Sequence, residues 1–314
     1  MIRFPRSLVV SVLAAVVVLT AGALPALAKS STVSTTGNDI SWPQCGGSYP
    51  TGQAFGIVGV NHGLANNLNS CLGGELSWAA KSPGNALLPT NHKAALYVNT
   101  ADPGSVVPAV ADWPSNYVDP TVDPNGVSEA AGLPNADPYG SCDVGSNSAA
   151  LNNQACAWQY GWDRAIQDML GLIATPTGGG FSNHPLDYSW WLDVETGNTW
   201  ESGTSGLANN VADLQGMVAA LKSTGETVTG SGVPLGGVTT VGIYSTSYQW
   251  GQITDSSALG YPDLVGVGLP DWIPGARTLS GAQANCSLTG FTTTAKPTIT
   301  QWFGKPYDGD VACP

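Results

Sequence analysis

Short apolar segments alternating with segments of helical period predict an α/β fold, a parallel sheet closed into a TIM-like (β/α) barrel with one long loop insertion. The second observation is what ends each apolar run. Asp39, Asn61, Asn99, Asp193 with Glu195, Tyr244 with Ser245, Asp271 and Gln301 all fall at or just past a predicted C-terminal strand end. In a barrel those ends converge on one face, where active sites sit.

Residues 29–37 read as a polar leader, and 38–42 as the first strand. The continuous apolar run 55–61 has the character of a buried parallel strand, with a short helix over 72–81 behind it and the next strand at 94–99. From 103 to 153 the chain turns rich in Pro, Asp, Asn and Gly, the composition of a surface insertion. Trp158, Trp162, Ala165, Ile166, Met169, Leu170 and Ile173 fall on one face of a helix over 154–173. A second helix over 207–221 carries Leu207, Val211, Leu214, Val218 and Leu221 at three- and four-residue spacing. Further strands are expected at 190–195, 239–244, 263–267 and 298–302, in a single domain over 38–314 without internal repeats.

Arg3 and Arg6, the apolar run 8–19 and the Ala-Leu-Ala at 26–28 predict a secretory signal over 1–28. The chain is therefore expected to be secreted, extracellular, and free of the membrane once the signal is removed. Six cysteines suit that address. The expected pairing is sequential (45–71, 142–156, 286–313), one of 15 connectivities. No Cys-x-x-Cys occurs, and His62, His92 and His184 are scattered, so no metal is expected. Gly178–Gly180 lack a phosphate-loop Lys, so no nucleotide cofactor is expected. With 22 acidic against 10 basic residues, net charge −12, the chain is not drawn to nucleic acid or anionic membranes. A monomer is expected.

The run Trp190-Trp191-Leu192-Asp193-Val194-Glu195 ends in two acids spaced i, i+2. On a strand both point one way, with Leu192 and Val194 on the other face. Mutual repulsion and partial burial raise at least one of the two pKa values, which is what a general acid in glycosidic cleavage requires. Trp42, Trp191, Tyr244 and Trp302 offer flat apolar faces on which sugar rings stack, Trp191 being equally placed to face the core.

These residues also carry a resemblance. Asp39-Ile40-Ser41-Trp42-Pro43-Gln44 resembles the opening Asp-x-Ser-x-x-Gln of glycoside hydrolase family 25, the Chalaropsis-type lysozymes. Leu192-Asp193-Val194-Glu195 resembles that family's mid-barrel Asp-x-Glu, and Val241-Gly242-Ile243-Tyr244-Ser245 its Gly-x-Tyr strand. Gln301-Trp302 with Asp308-Gly309-Asp310 is similar to its closing Trp-Gln segment and late Asp, with Gln and Trp exchanged. The chain also resembles a group of actinobacterial exported proteins of unassigned function marked by Asp-Ile-Ser-Trp-Pro-Gln-Cys. The resemblance implies a modified family 25-type barrel acting on the β-1,4 bonds of peptidoglycan or related cell-wall polysaccharide. Glu195 would be the general acid. Asp193 would orient the substrate's N-acetyl group or support developing charge, and Asp39 would complete the cluster. Trp42, Asn61, Asn99, Tyr244, Gln301, Trp302 and Asp310 would contact substrate. One departure matters: where the family has an acid after the second strand, this chain has Asn61-His62. A catalytically inactive barrel that binds wall glycan is the alternative this departure favours.

Overall fold

The computed structural model describes residues 35–104, 113–114, 137–140, 142, 152–224, 226–227, 233–255, 269–293 and 295–314. The expected signal peptide, leader residues 29–34, most of the 103–153 insertion and the expected strand at 263–267 lie outside the described residues.

In chain order the elements are β1 (Thr36–Ile40), β2 (Phe55–Gly59), α1 (Leu72–Ala79), β3 (Ala94–Asn99), α2 (Gln154–Ile173), β4 (Trp190–Asp193) and α3 (Gly203–Lys222). There follow β5 (Glu226–Thr227), β6 (Pro234–Leu235), β7 (Val241–Tyr244), α4 (Ser247–Thr254), β8 (Asp271–Ala276), α5 (Leu279–Asn285), β9 (Ile299–Trp302) and β10 (Gly309–Ala312). Eight strands close a barrel in the order β1-β10-β9-β8-β7-β4-β3-β2, while β5 and β6 pair separately. The TIM-like α/β barrel expected from the sequence is the fold observed.

Several features differ from the expected barrel. Strand β10 was not foreseen, and it runs antiparallel to both β9 and β1. The connection from Trp302 to Gly309 is too short for a helical crossover, so the chain can only return antiparallel. Asp271, expected at a C-terminal strand end, instead opens β8, in register with Ile243 of β7. Its carboxylate accepts from Phe291 N (2.9 Å) and Thr292 Oγ1 (2.7 Å), anchoring the loop that precedes β9. Strand β1 begins at Thr36, two residues inside the segment read as leader.

Strand alternation divides the core into two layers. Trp190, Leu192 and Val194 face outward onto the helices, with Leu76, Trp162, Met169, Leu214 and Met217. Phe55, Ile57, Ala95, Trp191, Trp272 and Ile299 fill the barrel interior. Trp191 is thus core and not a cleft wall, since it is fully buried among these rings. Gly242 makes room for it: a Cβ there would lie 2.3 Å from the Trp191 ring.

Helix α2 spans 154–173, as its period predicts, and the Asn153 side chain caps it by accepting from Cys156 N (2.9 Å). α2 and α3 touch backbone to backbone. A Cβ on Gly216 would lie 2.0 Å from Trp158 O, and one on Gly161 1.9 Å from Asp213 O. Gly216→Val is therefore expected to destabilise the chain by about 3 kcal/mol, read as a lowered denaturant midpoint. This contact also buries Asp168, Asp213 and Arg164, with Asp102 buried on the segment after β3.

The three disulfides are Cys45–Cys71, Cys142–Cys156 and Cys286–Cys313, the sequential pairing expected. No helix among the described residues is long and apolar enough to cross a membrane.

Candidate active site

The C-terminal ends of the parallel strands and the start of β10 bring Asp39, Asp193, Asp310, Tyr244 and Gln301 together with two residues the sequence reading missed, Tyr97 and Trp272. Gln301 links two strands: its Nε2 donates to Asp39 Oδ2 (3.0 Å), and its Oε1 accepts from Tyr244 OH (3.0 Å). Trp272 is the floor. Its Nε1 donates to Asp310 Oδ1 (3.1 Å), and its ring meets Tyr244, Trp191 and Tyr97 edge-on at 4.6, 6.0 and 6.3 Å.

Asp39 and Asp310 are close enough that each shifts the other's titration. Two neighbouring carboxylates repel, which favours the neutral form of one of them. Asp310 is fully buried and its Oδ2 meets no hydrogen-bond partner, so its charged form is the more disfavoured of the two. Burial, then the Asp39 charge, pushes the Asp310 carboxyl well above the usual range. Asp39 is pushed up to about 6, chiefly by burial, against the lowering effect of the Gln301 amide. Gln301→Ala removes that donor and is expected to move the Asp39 value up further, which a carbon-detected NMR titration of the aspartate carboxyls reads directly.

The β4 pair is split by depth. Asp193 is buried, and its Oδ1 has no partner. Burial, then the Glu195 charge and the Asp39 charge, raises its carboxyl well above the ordinary aspartate range. Glu195 lies just beyond the strand and is half-buried at the rim. Its carbonyl accepts from Trp200 Nε1 (2.9 Å), and Gln249 Nε2 approaches its Oε1 at 3.5 Å. Gln249 is itself held, since its Oε1 accepts from Thr196 N (2.8 Å). Tyr244 and Tyr97 are both raised above the usual phenol range, mainly by burial and then by the neighbouring acids, so both remain neutral donors at physiological pH.

The other expected contact residues sit elsewhere. Asn61 is fully buried and tied to Asn99: its Nδ2 donates to Asn99 O (2.9 Å), while its Oδ1 accepts from Asn99 N (2.8 Å) and Nδ2 (2.9 Å). The pair joins β2 to β3 and leaves Asn61 no free polar atom. Trp302 alternates to the opposite face of β9 from Gln301 and packs over Gly309. Trp42 is at the rim, 39% exposed, with its ring centroid 4.2 Å from that of His62. Among the described residues, no group of three or more His, Cys, Asp or Glu is arranged to hold a metal ion.

No protein-family model matches the chain, and no curated protein matches it. A solved structure that is similar is a glycosyl hydrolase 25 of Streptococcus pneumoniae, described as a virulence factor participating in host cell invasion. It is 11% identical, over 90% of this chain and 88% of that one, with a TM-score of 0.40. At that score the likeness carries no weight here. The barrel and its acid cluster stand on their own geometry.

Proposed function

We propose that this chain is a secreted glycoside hydrolase that cleaves β-1,4 bonds of peptidoglycan or a related wall polysaccharide. One observation carries the reading: a buried carboxyl, Asp193, whose charged form burial disfavours, lies two residues before a rim carboxyl, Glu195, at the mouth of a barrel, with Asp39 on the same inner face. Glycosidic cleavage needs a proton for the leaving oxygen and negative charge beside the oxocarbenium-like centre. Glu195 is the member that solvent and substrate reach, and it delivers the proton. Asp193 holds a proton in reserve and donates to the substrate's polar groups through its unpartnered edge. Asp39, fixed by Gln301, supplies the charge. Tyr244 and Tyr97 remain neutral donors that orient sugar hydroxyls.

The Asn61–Asn99 tie favours a second reading. An amide locked in the fold stands where the resembled family places an acid, as expected of a barrel that binds wall glycan without cleaving it. Incubating the wild-type chain with insoluble peptidoglycan separates the two. Soluble fragments with new reducing ends support the hydrolase. Saturable co-sedimentation without new ends supports the binding module.

A further inference from the structure

At and beyond the end of β4 the backbone is tied down by side chains. Asp193 O accepts from Thr100 Oγ1 (2.7 Å), and Val194 O accepts from Ser245 Oγ (2.7 Å). Glu195 O accepts from Trp200 Nε1 (2.9 Å) and Asn198 N (3.0 Å). Every backbone oxygen of the acid-bearing tripeptide is therefore taken. What a rim position leaves free is the Glu195 side chain, whose torsions each have several staggered wells.

Gln249 removes that freedom. Its own backbone is fixed, because Thr246, the N-cap of α4, accepts from Gln249 N (3.1 Å) and the following residue, Trp250, is buried. Its amide has one orientation. Thr196 N donates to Gln249 Oε1 (2.8 Å), and Thr196 Oγ1 donates to the same atom (3.0 Å). A backbone N–H can only donate, so the atom it meets is the amide oxygen, and the NH2 end is turned to Glu195. Nε2 donates to Glu195 Oε1 at 3.5 Å. Contacts at a catalytic group are often long in the free enzyme and tighten with substrate.

This contact makes the two carboxyl oxygens unequal. In a protonated carboxyl one oxygen accepts and the other carries the hydrogen. A donor at Oε1 gives Oε1 the accepting role and leaves the hydrogen to Oε2. Among the described residues no other side chain donates to this carboxyl. The titratable groups that feel its charge are Asp193 and Tyr244, so the carboxyl lies against the acid cluster.

We propose that Gln249 is a positioning residue for the reaction: one amide grips Thr196 with its oxygen and Glu195 with its nitrogen, fixing the Glu195 rotamer and keeping the transferable proton on Oε2. The inference rests on the hydrolase reading of Glu195 and adds how a rim acid is aimed.

Two substitutions separate aiming from anchoring of the loop. Gln249→Glu keeps an acceptor for Thr196 but sets a like charge against Glu195, whereas Gln249→Ala removes both contacts. On a soluble peptidoglycan oligomer each is expected to lower kcat by about tenfold or more, with KM within about twofold. Gln249→Glu should also move the alkaline limb of the kcat profile to higher pH, because a neighbouring anion favours a protonated Glu195. Independently of activity, NMR side-chain couplings at Glu195 should report one rotamer in the wild-type chain and averaging in Gln249→Ala. If Gln249→Ala fails to fold, Gln249→Glu, which retains the Thr196 contacts, carries the test. Wild-type kinetics in Gln249→Glu, or averaging already present in the wild-type chain, overturns the inference. The two readings fail separately. Absence of cleavage by the wild-type chain overturns the hydrolase alone, and the rotamers then decide whether Gln249 holds Glu195. Cleavage at the wild-type rate by both variants overturns this inference alone.

Discussion

Glu195→Gln is expected to lower turnover of a soluble peptidoglycan oligomer by about 10²- to 10⁴-fold while leaving the melting temperature within a degree or so. The first half follows from losing the proton donor to the leaving oxygen. The second follows from position: Glu195 is half-buried at the rim, its backbone carbonyl holds the Trp200 and Asn198 contacts, and those survive the exchange. Asp193→Asn should behave differently. The amide keeps a donor in place but removes the group that burial keeps protonated, so the alkaline limb of the pH profile moves to lower pH. A kinetic profile unchanged in Asp193→Asn would remove Asp193 from the proton inventory. A Glu195→Gln chain as fast as wild type would remove Glu195 from the chemistry.

The second large effect is on stability. The folded chain raises Asp39 and Asp271 to about 6 and Asp102 to about 8, and Asp168, Asp193, Asp213 and Asp310 well above the ordinary range, burial being the first cause in every case. A group whose folded value lies above its unfolded value holds more protons when folded. Its stabilisation is complete below the unfolded value near 4, and is lost as pH rises through the folded one. The melting temperature should therefore be highest near pH 4–5 and fall by about 5 °C or more by pH 8. Asp213→Asn, which removes a buried acid facing Asp102 and Arg164 between α2 and α3, should flatten that slope. A melting temperature that rises from pH 5 to 8 would mean these carboxyls are ionised in the fold.

Legibility in the sequence followed the strength of local patterns. Helix α2 was readable to the residue because a 3.6-residue apolar period begins right after a capping Asn. The β4 acids were readable because an apolar run ends abruptly in charge, and alternation alone put Leu192 and Val194 on the outer face. Strand β8 was not, since Asp-Trp-Ile-Pro-Gly-Ala contains two residues that disfavour strands. The register is irregular between Ile273 and Ala276, which accommodates Pro274 and Gly275. Missing β8 hid Trp272, the floor of the site. Tyr97 was within reach, since it lies two residues before Asn99 on the same face of β3. The burial of Asn61 and Trp191 was out of reach, because it depends on which rings fill the barrel, a tertiary matter that no local spacing encodes.

The measurement that tests the central claim most directly is digestion of purified peptidoglycan by the wild-type chain and by Glu195→Gln, with fragments read by mass spectrometry and reducing-end release. The account predicts disaccharide-repeat fragments from the wild type and none from the variant. Fragments from both, or none from either while both sediment with the glycan, would contradict it.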